Sequence, residues 1–585
     1  MGVFDKASLA LVPDGIKDGK LYSIKPTDGS GDFTFSRGSN LAATRVDENG
    51  LIEKGRENFI EFSNDFSTSK TPFNVTVSSG EAGYDGTNNA WKLIKGSSSG
   101  DYLRWIKSGG LGNVVFTYSI YVKAGSLSYF VIWTTGGNQA YFELTGNGSV
   151  TYTQGSNLVD SKIESVGNGW YRCSLTTYPE ASEVRLYPTT DGTPGVAGGT
   201  SGDFVYIQNF QAEYGLVATE YIDKVDYVTG GLAGILEDLP RIDYTGSTPS
   251  LLMEPSRTNL IDHSEYLKGN SEFKVLSSSV TFADYTETSP EGNTNALRIL
   301  ETSGTGNHNW YYDNLSGFTN GVTYTFSFFA KSINGRNIRF DEGGVGMDMQ
   351  GIIDLSNGSI LQDAHSNVSV ESYGNGWYRV SAVGTMNGTV QRIIFNTTDG
   401  TTTSFPGDTT KGVSLWGVQI EQASYPTSYI PTYGATATRS SDYYSNTSLS
   451  NIGSTDRCTF YCEIDLPQGR EGFQRFFRLD SSTSSFAWKG NHVEFPVISI
   501  IGTGNITGSG AFTVSAGVHK LIVRWENGVG SIFVDGVKKS EQTTSSTTEV
   551  FDEFESQGTG YRHLQKSVLV FPEALSDAEC ITLTT

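Results

Sequence analysis

Cysteine is scarce, at four residues in 585, and that excludes a disulfide framework as the source of order in a chain this long. Cys458 and Cys462 lie four apart in the strand-like CTFYCEI. They share a face but stand roughly 13 Å apart at about 3.3 Å per residue, too far to bridge each other. No CxxC pair or Cys/His cluster suits zinc. The six histidines, His263, His308, His365, His492, His519 and His563, are scattered without HxH or HxxxH spacing, which argues against a metal site or a general base. Helical periodicity is confined to a short piece near Ala574–Ile581. Long apolar runs are missing too: MGVFDKASLALVPDG carries only the patch Leu9–Val12 after Asp5, so it reads as neither signal peptide nor membrane span. Lys6 stands where a myristoylation motif needs Ser or Thr. On that reading the chain is made in a cytoplasm and has no export route of its own. Positive charge is the last shortage. Lys and Arg number 41 against 63 Asp and Glu, a net charge of −22 that excludes nucleic acid and anionic membrane as partners and favours solubility at high local concentration.

What is present is glycine, at 69 residues, and aromatic side chains, with 30 Tyr and 32 Phe. Stretches such as Thr117–Val122 and Thr325–Ala330 alternate β-branched and aromatic residues between Gly, Asn and Asp turns, the pattern of an all-β chain. One core cannot serve this length, and three to five domains are expected.

The hexapeptide GNGWYR occurs at Gly167–Arg172 and again at Gly374–Arg379. The match extends outward in order. YSIYVKAG pairs with FSFFAKSI, TTDG at Thr189 with TTDG at Thr397, and VYIQNFQAEYG with VSLWGVQIEQA. RENFIEFSNDF opens one copy where RTNLIDHSEYL opens the other, and ATEYI closes one where PTSYI closes the other. Cys173 takes the place of Val380 and so reads as a small buried hydrophobe. A duplicated domain explains this better than a duplicated catalytic site. Each copy holds about eight to ten short strands, which implies tandem antiparallel β-sandwiches of the jelly-roll kind. Trp170 and Trp377 are expected in equivalent buried places closing each sandwich; the alternative is that they stack on sugar.

FSRGSNLAATRVDENGLIEKGRENFIEFSNDF resembles the N-terminal modules of tailed-bacteriophage fibre and appendage proteins. GNGWYR followed by VSLWGVQIEQASYPTSYIPT is similar to the carbohydrate-binding-type sandwiches found in tandem there, and PRIDYTGSTPSLLMEPSRTNLI to their connectors. HKLIVRWENGVGSIFVDGVKK and SVLVFPEALSDAECITL resemble the laminin-G/concanavalin-like lectin superfamily. The expected organisation is an attachment segment at 1–55, module 1 at 56–222, a connector at 223–255, module 2 at 256–432 and a lectin-like domain at 433–585. GATATRSSDYY repeats the Ala-Thr-Arg character of SRGSNLAATRVD, as though this piece punctuates boundaries. The resemblance implies a virion protein, a head or tail fibre that adheres to host-surface glycans, trimerises and sits on capsid or tail proteins. A polysaccharide depolymerase, or a capsid decoration without a ligand, is the alternative.

Motifs for chemistry are missing. No GxSxG elbow, P-loop or HExxH is present, and DEGGVG at Gly343–Gly344 sits beside acids that would repel phosphate. Carboxylate neighbours such as Asp341 with Glu342, or Asp552 with Glu553 and Glu555, could suggest glycoside cleavage, but adjacent strand residues point to opposite faces. The expectation is no enzyme and no cofactor; calcium is conceivable at Asp535, which reads more simply as a turn residue. For sugar stacking, Trp133 and Tyr141 flank TTGGNQA, and Trp310, Tyr311 and Tyr312 form a run that cannot all point inward. Leu9, Leu11, Val12, Phe33 and Phe35 have two readings: a strand pair packed on module 1, or the anchor to the particle, with the C-terminal domain at the free end. EALSDAEC predicts a short helix capped by Ser576 and Glu579.

Overall fold

The computed structural model describes the protein apart from residues 1, 14–19, 39–40, 99, 108–111, 194–197, 247, 270, 277–278, 314, 344–345, 366, 389–391, 451, 455, 468–473, 481–484, 491–494, 502–503, 513, 544–549, 559 and 561, and apart from the side chains of 471–476, 480–513 and 542. His492 and Gly344 therefore fall outside the described residues.

The fold is all β, with antiparallel sheets paired into sandwiches. In module 1 one sheet runs, in spatial order, Leu158–Gly167, Trp170–Thr177, Phe116–Ala124, Phe204–Tyr214, Ala90–Lys95, Val75–Glu81. Its partner sheet runs Ser149–Gln154, Asn138–Glu143, Tyr129–Thr134, Glu183–Thr189, Tyr102–Ile106, Thr71–Phe73. Module 2 repeats both sheets strand for strand, one centred on Thr323–Ile333 and Gly412–Glu421, the other on Ile393–Thr398 and Asn337–Glu342. Alternation along each strand supplies the cores: Phe116, Tyr118, Ile120 and Val122 face Phe130, Ile132 and Leu186 in module 1, while Phe326, Phe328 and Phe340 meet Phe395 in module 2.

The repeated hexapeptide is a turn followed by a lock. Asn168 and Asn375 adopt φ of 53° and 50°, and the glycines on either side are also left-handed, so only Gly-Asn-Gly makes this reversal without strain. Trp170 then pairs with Lys123 and Trp377 with Lys331, and both indoles are 1% exposed. Their burial was expected, but not between the sheets. Tyr171, Cys173 and Leu175 take the core side, so by alternation Trp170 faces outward and is covered by Tyr84, Tyr121, Tyr206 and Tyr221. Trp377 is covered by Phe329, Trp416, Tyr429 and Ile52, and its Nε1 donates to Thr288 O at 2.9 Å. The following arginines are equivalent as well: Arg172 donates to Ser119 Oγ at 3.0 Å and Arg379 to Ser327 Oγ at 3.1 Å.

The matching ends of the copies are tied by the same hydrogen bonds. Asn58 Nδ2 donates to Ile222 O and Asn259 Nδ2 to Ile430 O, at 2.8 and 2.9 Å. Gln211 and Gln419 each accept from those isoleucines' N–H at 2.7 Å. Buried Glu213 and Glu421 accept from Thr219 N and Thr427 N at 2.9 and 2.8 Å. A buried polar group must find its partner, so the residues at both ends of each copy resemble one another for a structural reason.

The third sandwich corrects the expected boundaries. One of its sheets is Ile242–Asp243, Ser250–Met253, His563–Phe571, Arg457–Leu466, Gly517–Glu526, Val529–Val534 and Val537–Thr543, with Leu9–Leu11 also paired to His563–Phe571. The facing sheet begins Thr34–Ser36, Tyr443–Asn446, Glu553–Gln557. Segments from 1–55 and 223–255 thus supply strands to the C-terminal unit. Leu9, Leu11, Phe33 and Phe35 are buried in its core beside Phe460, Phe554 and Val568, and Val12 is half-buried. Leu9, Leu11, Phe33 and Phe35 are therefore neither packed on module 1 nor free to anchor the chain to a partner. A stretch too short to bury its own apolar side chains gains roughly 1.5–3 kcal/mol for each one it places in an existing core. The predicted C-terminal helix is Asp577–Thr584, with Ser576 and Glu579 forming the capping box, and Lys6 reaching Glu579 at 2.6 Å. Cys458 and Cys462 are buried free thiols.

The boundary motifs converge on one buried charge network. Arg37, Arg241, Arg439, Glu254 and Asp442 are all essentially inaccessible. Arg241 Nη1 lies 2.7 Å from Glu254, its Nη2 bonds Asp442, Arg439 lies 3.2 Å from Glu254, and Arg37 lies 3.4 Å from Asp442. Its five residues come from three separate stretches of the chain: Arg37 from the first, Arg241 and Glu254 from the second, Arg439 and Asp442 from the third. A second junction seats the hairpin Thr44–Val46/Ile52–Lys54 on module 2, where Ile52 meets Trp377.

Candidate functional site

The sheet of module 1 that begins Ser149–Gln154 presents a face directed away from the core, and its residues fall into two rows. Strand pairing sets Tyr152 opposite Tyr141, Tyr141 opposite Val131, and Val131 opposite Tyr187. Tyr102 follows, its ring 5.1 Å from that of Tyr187, and then Phe73, stacked on Tyr102 at 4.9 Å with planes 11° apart. The row crosses all six strands, about 24 Å at the usual strand spacing, with rings on five of them and Val131 on the sixth. The neighbouring row is polar: Gln154, Gln139, Trp133, Arg185, Arg104 and Thr71. Period-2 alternation produces both rows. YFVIWT, EVRLYPT and YLRWI send Phe130, Ile132, Val184, Leu186, Leu103 and Trp105 inward, and the residues between them outward.

Arg185 ties the rows together. Its guanidinium lies over the Trp133 ring at 4.2 Å and the Tyr102 ring at 4.6 Å, and its Nε lies 2.5 Å from Glu183. Burial works against its charge, but hydrogen bonds with Tyr187 and Glu183 outweigh it, and the pKa lies above the ordinary arginine value. Burial raises the Tyr187 phenol, with Arg185 pulling the other way. The guanidinium therefore fixes the Trp133 and Tyr102 rings relative to each other. Most of the face is half-exposed, and Phe73, at 54%, is among the most exposed large apolar side chains.

The corresponding rows of module 2 differ. Gln362, Ile352, Arg339, Asn396, Asn309 and Leu276 follow one another across its sheet without an aromatic ring. In the adjacent row Asp341 stands where module 1 has Trp133, and Tyr311 is the one ring, covered by Arg392 at 4.7 Å. The charges here neutralise one another, Arg339 with Asp341 at 2.5 Å and Lys274 with Asp313 at 3.1 Å.

Of the residues singled out from sequence, Trp133 and Tyr141 lie on the module 1 face, Trp133 half-buried and Tyr141 at 8% exposure with its ring edge on Tyr152. The Trp310–Tyr312 run splits by alternation. Trp310 is in the core, stacked on Phe395, and Tyr312 is buried with its hydroxyl 2.5 Å from Asp262, so neither is available to a ligand; Tyr311 points outward. Sequence reading missed Phe73, Tyr102, Tyr152, Tyr187, Arg104 and Arg185. For Tyr102, Arg104, Arg185 and Tyr187 the strands YLRWI and EVRLYPT carried the signal by alternating aromatic or basic with aliphatic residues; TPF and SVTYTQ carried none for Phe73 and Tyr152. The suspected carboxylates are engaged elsewhere: Asp341 accepts from Gln350 at 3.0 Å, Glu342 from Met347 N at 2.9 Å, and Glu555 from Tyr443 at 2.9 Å. Asp535 is a left-handed turn residue that bonds His519 Nδ1 at 2.7 Å. Among the described residues no group of three His, Cys, Asp or Glu could hold a metal ion.

No family model matches the chain, and no curated protein matches it. Among solved structures it is similar to the N-terminal CBM22-1–CBM22-2 tandem domain of Paenibacillus barcinonensis Xyn10C, at 12% identity over 66% of this chain and 100% of that one, with a TM-score of 0.21. Domain 4 of AbnA, a GH43 extracellular arabinanase from Geobacillus stearothermophilus, matches at 15% identity over 25% of this chain and 73% of that one, TM-score 0.20. The CBM40 of Ruminococcus gnavus IT-sialidase matches at 13% over 23% and 85%, TM-score 0.18. At these scores no residue correspondence follows, and the architecture rests on the sheets described above.

Proposed function

We propose that the protein is a non-enzymatic glycan-binding protein, and that module 1 binds a saccharide chain along the outer face of its Tyr102–Tyr187 sheet. The observation that carries this reading is the aromatic row from Tyr152 to Phe73, present on one copy of a duplicated scaffold and replaced on the other by a row without rings. Aromatic faces stack on the apolar faces of sugar rings, and the adjoining Gln139, Gln154 and Arg side chains supply hydrogen bonds to hydroxyls. The setting we propose, from the resemblance to tailed-phage fibre and appendage proteins, is a virion fibre that trimerises on capsid or tail proteins and displays this face toward host-surface glycans. Trimerisation would raise weak single-site affinity through avidity.

Affinity electrophoresis of the whole protein through gels containing polysaccharides tests the binding. Retardation by a polysaccharide that is lost in Trp133→Ala and Tyr102→Ala, at unchanged melting temperature, supports it. Retardation by none across a broad glycan panel, or release of reducing ends from a retained polymer, overturns it. Labelling with antibody against module 1 on purified particles tests the setting.

A further inference from the structure

We infer that the ligand of the module 1 face is an acidic saccharide, recognised through a carboxylate held between Arg104 and Arg185. This rests on the proposed glycan-binding role of that face.

Arg104 and Arg185 are direct partners across two adjacent strands, on the same side of the sheet. Directly opposed side chains have Cβ atoms about 4.5–5.5 Å apart, and like charges in that position repel. The acid beside the pair, Glu183, lies against Arg185 Nε at 2.5 Å, and Glu143, farther along the face, accepts from Thr145 and Ser149 at 2.9 and 3.1 Å. No carboxylate pairs with Arg104 among the described residues, and its Nε is shut away from solvent without a hydrogen-bond partner. Among the described residues Arg172 and Arg379 also lack a paired acid but donate to serine hydroxyls, while arginines such as Arg241, Arg336 and Arg339 have found an acid. Arg185 cannot swing away, because Trp133 and Tyr102 hold it at 4.2 and 4.6 Å.

Module 2 sharpens the point. At the place of the Arg185–Arg104 pair it has Ile394 opposite Tyr311. The same scaffold therefore folds without two cations there, and in module 1 the pair is a cost that folding does not require. A planar carboxylate matches the fork of a guanidinium, and one placed between the two arginines would relieve their repulsion while the sugar ring lies on the adjacent aromatic row. The net charge of −22 opposes indiscriminate binding of polyanions, so retention of an acidic polymer must come from a local site.

The test is affinity electrophoresis of the full chain with polygalacturonate, its carboxyl-reduced neutral counterpart and dextran sulfate. Wild type is expected to be retarded by polygalacturonate, about tenfold more weakly by the reduced polymer, and less so as salt rises. Arg104→Gln is expected to lose that tenfold preference and to bind the acidic and reduced polymers alike, with a melting temperature no lower than that of wild type. Equal binding of the acidic and reduced polymers, or an Arg104→Gln variant that keeps the preference, overturns the inference while leaving glycan binding intact. Retardation by dextran sulfate equal to that by polygalacturonate overturns the carboxylate assignment. Loss of all three in Trp133→Ala but not in Arg104→Gln supports the parent reading and refutes this one.

Discussion

The Lys54 ammonium lies 2.9 Å from Glu265 and 2.7 Å from Glu291, all three side chains nearly inaccessible, and so bolts the N-terminal hairpin onto module 2. One cation serves two carboxylates here, and that imbalance has consequences. Lys54→Met leaves two buried acids without a cation and is expected to cost about 3–5 kcal/mol in urea denaturation at pH 8. The double variant Lys54→Met/Glu265→Gln should recover part of the loss. Equal midpoints for wild type and Lys54→Met would refute this account of the junction.

The same cluster sets a pH dependence. Burial pushes the Glu265 carboxyl up to about 7, with Lys54 pulling it down and Glu291 pushing it further up. The folded protein then keeps a proton that the unfolded chain releases above the ordinary carboxylate range, so this contribution favours folding in acid and is lost as pH rises toward about 7. Glu265→Gln cannot titrate. Its stability should fall less than that of wild type between about pH 5 and 7, measured by denaturation midpoints across that window.

Glu254 behaves oppositely. Burial would raise its carboxyl, but Arg439, Arg241 and Arg562 overcome this and hold it far below the usual range. Its contribution is complete above the unfolded value of about 4.5 and is lost as pH falls below it. Acid titration followed by tryptophan fluorescence should show a transition below about pH 4.5 that Glu254→Gln moves upward in pH.

Removing residues 1–36 is expected to damage the far end of the chain. The deletion strips Leu9, Leu11, Phe33 and Phe35 from the C-terminal core and exposes the edges of His563–Phe571 and Tyr443–Asn446. Limited proteolysis should then cut within 443–585 while the fragment 56–222 survives. Survival of the C-terminal unit at wild-type rates would show that these strands are dispensable.

Trp377→Ala should cost about 3–5 kcal/mol, the usual penalty for emptying a large buried site, and should also loosen the hairpin that places Ile52 against it. Trp170→Ala should carry a similar cost without that second effect, because the cover over Trp170 comes from module 1 itself. Hydrogen exchange in residues 44–54 distinguishes the two.

Local and repeating features were legible in the sequence because their causes are local. Alternation announced strands, Gly-Asn-Gly announced the turn before Trp170 and Trp377, and ordered matches over the two copies announced a duplicated sandwich. Ser576 and Glu579 three residues apart sufficed for the helix cap. Tertiary structure alone decided where Leu9 and Phe33 go, because any open core of matching shape could bury them and the one that does lies hundreds of residues away. It also decided which side of a strand each aromatic faces: Trp133 and Trp310 look alike in sequence, yet one belongs to the outer face and the other to the core. The outer aromatic face required six strands to be set side by side, since Tyr152, Tyr187, Tyr102 and Phe73 share no sequence neighbourhood and become one row only through the register of their hydrogen bonds.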